Sequence, residues 1–221
     1  MSPARTPTPS RPAGPVERVW YASYGSNTDT ERLRHYLVGG RPPGAARSCP
    51  GCRDPRPPER SVPVLLPGGL YFATESPLWT GGSAFYDPDA GGELWARAHL
   101  LGVQQFSDIA AQEMHRPPGT DLDLSTVLRD GRHPLGPGRY ETLLCPGSLE
   151  GLPVLTFTAP WHSGDVEVTA PTAGYLRHLA RGLLATGVWD VPAVARYLSR
   201  APGAAGRWTP REVAALLAEP P

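Results

Sequence analysis

The sequence predicts an α+β fold, a small and mostly antiparallel or mixed β-barrel with flanking helices. Three observations predict it. Short runs rich in β-branched and aromatic residues recur through the first two-thirds of the chain, bounded by Gly, Pro and Asp. Helical spacing of apolar residues gathers in the last third. The 221 residues suffice for one sizeable core but not for two full domains, and no internal repeat is visible. Strands early and helices late, packed on the outside, make an α+β arrangement.

Residues 1–16 carry Pro3, Pro7, Pro9, Pro12 and Pro15 and almost no large apolar side chain, so a disordered tail is expected there, with residues 17–221 as one domain. Val19–Tyr24 is rich in β-formers and reads as a strand, broken by Gly25-Ser26-Asn27. Thr28-Asp29-Thr30-Glu31 fits a capping box, and Leu33, Tyr36 and Leu37 follow at helical spacing. Residues 38–61, dense in Pro, Gly and Arg, read as a long surface loop or lid. Strands are expected at Val62–Leu66, Leu70–Ala73, Ser83–Tyr86 and Glu93–Leu101, and a helix from Val103 to Glu113. Tyr140–Leu144 and Leu152–Phe157 form a hairpin. Helices follow at Ala173–Ala185 and Val191–Leu198, and a third opens with Thr209 as N-cap, Pro210 at N1 and Glu212 at N3.

Composition narrows the function classes. Acidic and basic residues cancel at 21 each, so no general electrostatic pull toward nucleic acid or anionic membrane is expected. No segment approaches the ~18 apolar residues of a membrane span. The N-terminus lacks the apolar stretch of a secretory signal, and three cysteines make no disulfide framework, so a cytoplasmic location is expected. Cys49-Pro50-Gly51-Cys52 is a lone C-x-x-C without a second pair or a spaced histidine, and it reads as two free thiols. No metal or cofactor is expected.

Two places could carry chemistry. At the Tyr24-Gly25-Ser26-Asn27 junction the glycine admits a close backbone approach, and successive N–H groups beside a helix N-terminus suit an anion. The loop is too short for a P-loop and suits a carboxylate; an ordinary βα turn with Asn27 as helix cap is the alternative. On the helix, Phe106, Ile109, Ala110 and Glu113 share one apolar face, which carries a carboxylate inward. Burial and the helix C-terminus both raise its pKa, the condition for a general acid/base near neutrality. The alternatives are fraying near Pro117 or pairing with an arginine. Gly82 could admit substrate to the backbone or merely permit a bend, and Tyr140 could present its hydroxyl or pack in the core. Ser26 lies in no G-x-S-x-G elbow, and nothing activates Cys145.

Tyr21-Ala22-Ser23-Tyr24-Gly25-Ser26-Asn27 resembles the tyrosine-glycine-serine-asparagine signature of the γ-glutamylcyclotransferase-like superfamily. Trp79–Ala84 looks like that family's Gly-rich strand, and Tyr140 matches a pocket tyrosine. Glu113 falls where the family places its catalytic glutamate, and Pro171–Leu176 with Gly182 looks like its C-terminal helix. Two positions depart: Thr28 stands where methionine is usual, and Met114 where glycine often follows the glutamate. The resemblance implies that Tyr24, Gly25, Ser26, Asn27, Gly82 and Tyr140 bind a small γ-glutamyl substrate. It further implies that Glu113 catalyses cyclisation of the γ-glutamyl group to 5-oxoproline, with release of an amine. Exchange of the amine, a carboxylate-binding module without turnover, and a hydrolase remain open beside it.

Overall fold

The computed structural model describes residues 3–9, 16–41, 48–76 and 80–218. β1 (Arg18–Ser23) lies inside a six-stranded mixed sheet of order β2-β5-β1-β8-β7-β6, with β2 at Arg60–Pro67, β5 at Glu93–Gly102, β6 at Arg132–Pro134, β7 at Thr142–Leu149 and β8 at Leu152–Thr158. β1 pairs antiparallel with β5 and parallel with β8, and the other contacts in the sheet are antiparallel. β3 (Gly69–Glu75) and β4 (Gly82–Asp87) form a separate ribbon. Two hydroxyls tie it to the sheet: Tyr86 N–H donates to Thr158 Oγ1, which donates in turn to the Tyr86 carbonyl, and the Tyr86 hydroxyl donates to Pro67 O of β2.

The α+β class and the mixed, mostly antiparallel sheet agree with the sequence reading; the expected ring does not arise from the named strands alone. β2 and β7 are bridged instead by the N-terminal segment. Arg5 N–H donates to Pro63 O and Leu65 N–H to Arg5 O, while Thr8 and Ser148 exchange both backbone bonds at 2.8 Å. Residues 3–9 therefore depart from the expected disordered tail. Apolar side chains are not needed here, because the segment is held by backbone groups that the two strands leave unpaired. The Arg5–Glu150 and Arg60–Glu150 pairs are part exposed and screened by water, so the backbone bonds dominate. Residues 10–15 lie outside the described residues.

Helices cover both faces. Val19 and Tyr21 of β1 point toward α1 (Thr30–Val38), α2 (Val103–Glu113) and α3 (Ser125–Asp130), meeting Leu33, Leu37, Phe106, Ile109 and Val127. Trp20, Ala22 and Tyr24 point the other way, toward α4 (Ala173–Leu184), α5 (Val191–Arg200) and α6 (Pro210–Ala218). That alternation is the two-residue period of a strand buried on both sides. The helix starts follow their caps. Asp190 accepts from Ala193 N–H, and Thr209 and Glu212 form a reciprocal capping box. β7 runs on through Pro146 because a bulge between Leu144 and Gly147 removes the proline from the ladder, so the hairpin is longer than expected. α3 and β6 are too short to leave a periodic signal.

Candidate active site

β1 delivers the chain into the loop and Tyr24 anchors its start: the hydroxyl donates to the Phe157 carbonyl at 2.8 Å, so it ties the loop to β8. Ser26–Thr28 then form one 3₁₀ turn, in which Thr28 N–H bonds Gly25 O and Asp29 N–H bonds Ser26 O. The helix cap lies one residue later than the sequence suggests. Asp29, not Thr28, caps α1, accepting from Glu31 N–H at 3.0 Å, while Thr28 Oγ1 turns back to Gly25 O. The N-terminus of α1 is thus occupied by the protein's own carboxylate, which also lies 3.4 Å from His178 Nδ1. Any anion held by this loop meets the 3₁₀ turn.

Gly25 has φ −97°, open to any residue, and a Cβ there would lie 3.4 Å from the Tyr175 hydroxyl. The glycine keeps the space before that hydroxyl clear. Gly182 of α4 has a stricter duty: a Cβ there would come within 2.2 Å of Thr28 Oγ1 and 2.6 Å of Asp29 N, so α4 seats the loop only because residue 182 has no side chain.

The loop and α2 meet at one bond. Asn27 Nδ2 donates to Glu113 Oε1 at 2.9 Å, with the Tyr21 hydroxyl 3.4 Å away. Asn27 is 3% exposed, and its Oδ1 finds no partner among the described residues. Glu113 keeps some accessible surface, yet enough protein surrounds its carboxylate to raise its pKa by desolvation. Hydrogen bonds from Tyr36 and Asn27 and the charge of Arg32 pull the other way without offsetting the burial. The helix does not fray at Glu113: the chain beyond it is held by Met114 N–H on Ala110 O and Arg116 N–H on Ala111 O.

The remaining predicted residues divide. Tyr140 stacks on Phe85 at 5.2 Å and donates to Ala84 O at 3.1 Å, beside the Tyr175 hydroxyl that accepts from Ala84 N–H. Both tyrosines feel the charge of Glu113. Gly82 lies against the protein's own backbone. A Cβ there would stand 2.0 Å from the Thr169 carbonyl, and Gly82 N–H donates to Ala170 O, so the close approach is made by the protein's own chain.

Sequence reasoning missed Arg32 and Tyr36, one turn apart on α1, and Tyr21, Tyr175 and His99. Arg32 is 8% exposed, and its charge acts on Glu113, Tyr36, Tyr175 and Cys49. A signal existed: Arg32 and Tyr36 sit at i and i+4 beside the inward-facing Leu33 and Leu37. The loop read as a lid is, over residues 48–59, a strap on α2. Arg53 N–H and its guanidinium grip Asp108, and Gln105 Nε2 donates to the Asp54 and Arg56 carbonyls. Cys52 donates to the Tyr36 carbonyl, and burial pushes its thiol up to about 12. Residues 42–47 lie outside the described residues.

Away from this cluster, Asp87, Asp89 and His162 bring their ligand atoms within 4.8 Å of one another across distant parts of the sequence. Spacing along the chain could not show that group. Asp87 is already satisfied by Ser163 N–H, Ser163 Oγ–H and Asp89 N–H, as a turn-binding carboxylate is.

No protein-family model matches the chain. An uncharacterized human protein has a similar structure at a TM-score of 0.51 and 16% identity, covering 92% of this chain and all of the other. The chain shares the fold of that human protein. A structure described as a γ-glutamyl cyclotransferase aligns with a TM-score of 0.48 and 16% identity over 91% of this chain and 99% of that one. In sequence, 204 residues match histone deacetylase 5 of Arabidopsis thaliana at 31% identity; the match takes in 83% of this chain but only 30% of that protein. No helix among the described residues is long and apolar enough to cross a membrane.

Proposed function

We propose that this protein is a γ-glutamylcyclotransferase-type enzyme, cyclising a γ-glutamyl group to 5-oxoproline with release of an amine. One observation carries the reading: Asn27 of the Gly25 loop and Glu113 of α2, 86 residues apart, share a 2.9 Å hydrogen bond around a carboxylate whose pKa is raised. A carboxylate poised this way is suited to taking and returning a proton.

The chemistry asks little else of the protein. The substrate's own α-amine attacks its side-chain amide carbonyl, the new C–N bond closes a five-membered ring, and the bond to the departing nitrogen breaks. Glu113 takes the amine proton and delivers it to that nitrogen, so no water and no enzyme nucleophile are consumed. Holding the chain in its cyclising conformation supplies much of the rate. Because Thr28 and Asp29 N–H are already bonded inside the 3₁₀ turn, the N–H groups of Ser26 and Asn27 are assigned to the substrate α-carboxylate. The buried Asn27 Oδ1 is assigned to the attacking amine.

The test is mass spectrometry of γ-glutamyl amides and peptides incubated with the protein. An Nε-acetyllysine peptide belongs in the panel, since the matched plant protein carries the deacetylase name. 5-Oxoproline with wild type and none with Glu113→Gln is the expected outcome. Free glutamate would replace the reading with hydrolysis, a transferred γ-glutamyl group with exchange, and deacetylated lysine alone would overturn it.

A further inference from the structure

His99 takes no part in that chemistry, yet it is a fully buried imidazole beside it. It sits on β5 opposite Tyr21 of β1 and Ser61 of β2, so the three side chains form one row across three strands. Both neighbours matter. His99 Nε2 lies 3.2 Å from the Asn27 carbonyl and Nδ1 lies 2.8 Å from Ser61 Oγ, while the Tyr21 hydroxyl reaches the Asn27 side chain. A carbonyl only accepts, so Nε2 must carry the proton. Nδ1 is then an acceptor, and the Ser61 hydroxyl is its donor.

We infer that Ser61 and His99 are positioning residues for the acid/base group: Ser61 fixes the imidazole tautomer, His99 holds the Asn27 backbone, and Asn27 thereby meets Glu113. This inference rests on the cyclotransferase reading only for its kinetic consequence. Burial, with the charge of Arg97 second, lowers the His99 pKa to about 3, so the ring stays neutral and serves as a fixed donor through the range where an enzyme works. Losing the Ser61 donor frees the other tautomer, whose bare Nε2 would face the Asn27 carbonyl lone pairs and push the loop away from Glu113.

The test reads the chain of contacts directly and then its effect. Nitrogen-15 NMR of wild type is expected to show the Nε2–H tautomer, and Ser61→Ala a loss of that preference. Carbon-13 NMR of the Glu113 carboxyl then reports its titration. Arg32 and Tyr36 of α1, Cys49, Tyr21, Tyr140, Tyr175 and His115 also face or act on that carboxyl and stay unchanged in this variant. With Asn27 loosened, the midpoint is expected to rise. In turnover of a γ-glutamyl substrate, kcat should fall by up to about 100-fold with KM little altered, because the misplacement affects the reacting geometry. His99→Gln, whose amide can still donate to Asn27, should recover part of the loss. An Nδ1–H tautomer in wild type, or an unmoved Glu113 midpoint in Ser61→Ala, overturns the positioning role. Absence of 5-oxoproline from wild type would overturn the cyclotransferase reading alone, since both NMR arms answer without turnover.

Discussion

Asp87 and Glu113 are both carboxylates drawn out of water, and they end with opposite proton affinities. Burial raises each. At Asp87 the donors from Ser163, Asp89 and His162 more than offset it, and the pKa falls below the ordinary carboxylate range. At Glu113 the Tyr36 and Asn27 donors and the Arg32 charge leave burial dominant, and the pKa rises. The balance of donors against burial separates a carboxylate that knots a turn from one suited to moving protons.

The largest expected effect breaks the pair apart. Glu113→Gln should lower turnover of a γ-glutamyl substrate by at least about 100-fold, the loss typical when a general acid/base is removed. Asp87→Asn should leave turnover within a few-fold and lower stability by about 1–3 kcal/mol, because the Ser163 and Asp89 donors lose a charged acceptor. Steady-state kinetics and urea denaturation of both variants check this, and a reversed pattern would mean the roles are misassigned. The pH slopes should oppose as well. The raised Glu113 pKa means its contribution is complete below about 4.3 and is lost as pH rises through the folded-state pKa, so Glu113→Gln gains on wild type toward neutral pH. The lowered Asp87 pKa gives stability present above about 3.9 and lost as pH falls, so Asp87→Asn is most damaging near neutrality and converges on wild type in acid.

Next in size is Gly182→Ala. The new methyl would press on Thr28 and Asp29, displacing the 3₁₀ turn without touching Glu113 or Asp87. A loss of about 10- to 100-fold in kcat, with Asp87 still holding its turn, would locate the sensitivity in the loop. Wild-type kinetics in that variant would mean that α4 yields instead.

Glu113 was legible in sequence because helical spacing is a local property: Phe106, Ile109 and Ala110 announce which way the next turn points. The Gly25-Ser26-Asn27 break was legible for the same reason. The ribbon of β3 and β4, the Gly82–Thr169 crossing and the group at Asp87 were not, because each depends on which strands pair, and pairing over long separations leaves no local mark. Arg32 and His99 were hidden differently. A polar residue in an inward row reads as surface until its partners, Glu113 for one and the Asn27 carbonyl for the other, are known to face it.

The smallest expected effect is the sharpest on the comparison itself. Tyr36→Phe removes one donor from Glu113 and nothing from its packing stem, which carries Glu113 one step further from the state of Asp87. Its carboxylate should then be harder to ionise, so the acid limb of the kcat/KM profile moves to higher pH. The base form is needed to accept the amine proton. Turnover should therefore fall a few-fold near neutrality and recover as pH rises past the new midpoint, whereas a merely structural loss would persist at every pH. An acid limb that stays in place, or moves to lower pH, would mean that Tyr36 does not stabilise the Glu113 carboxylate, and that the balance of donors against burial does not explain the difference between the two acids.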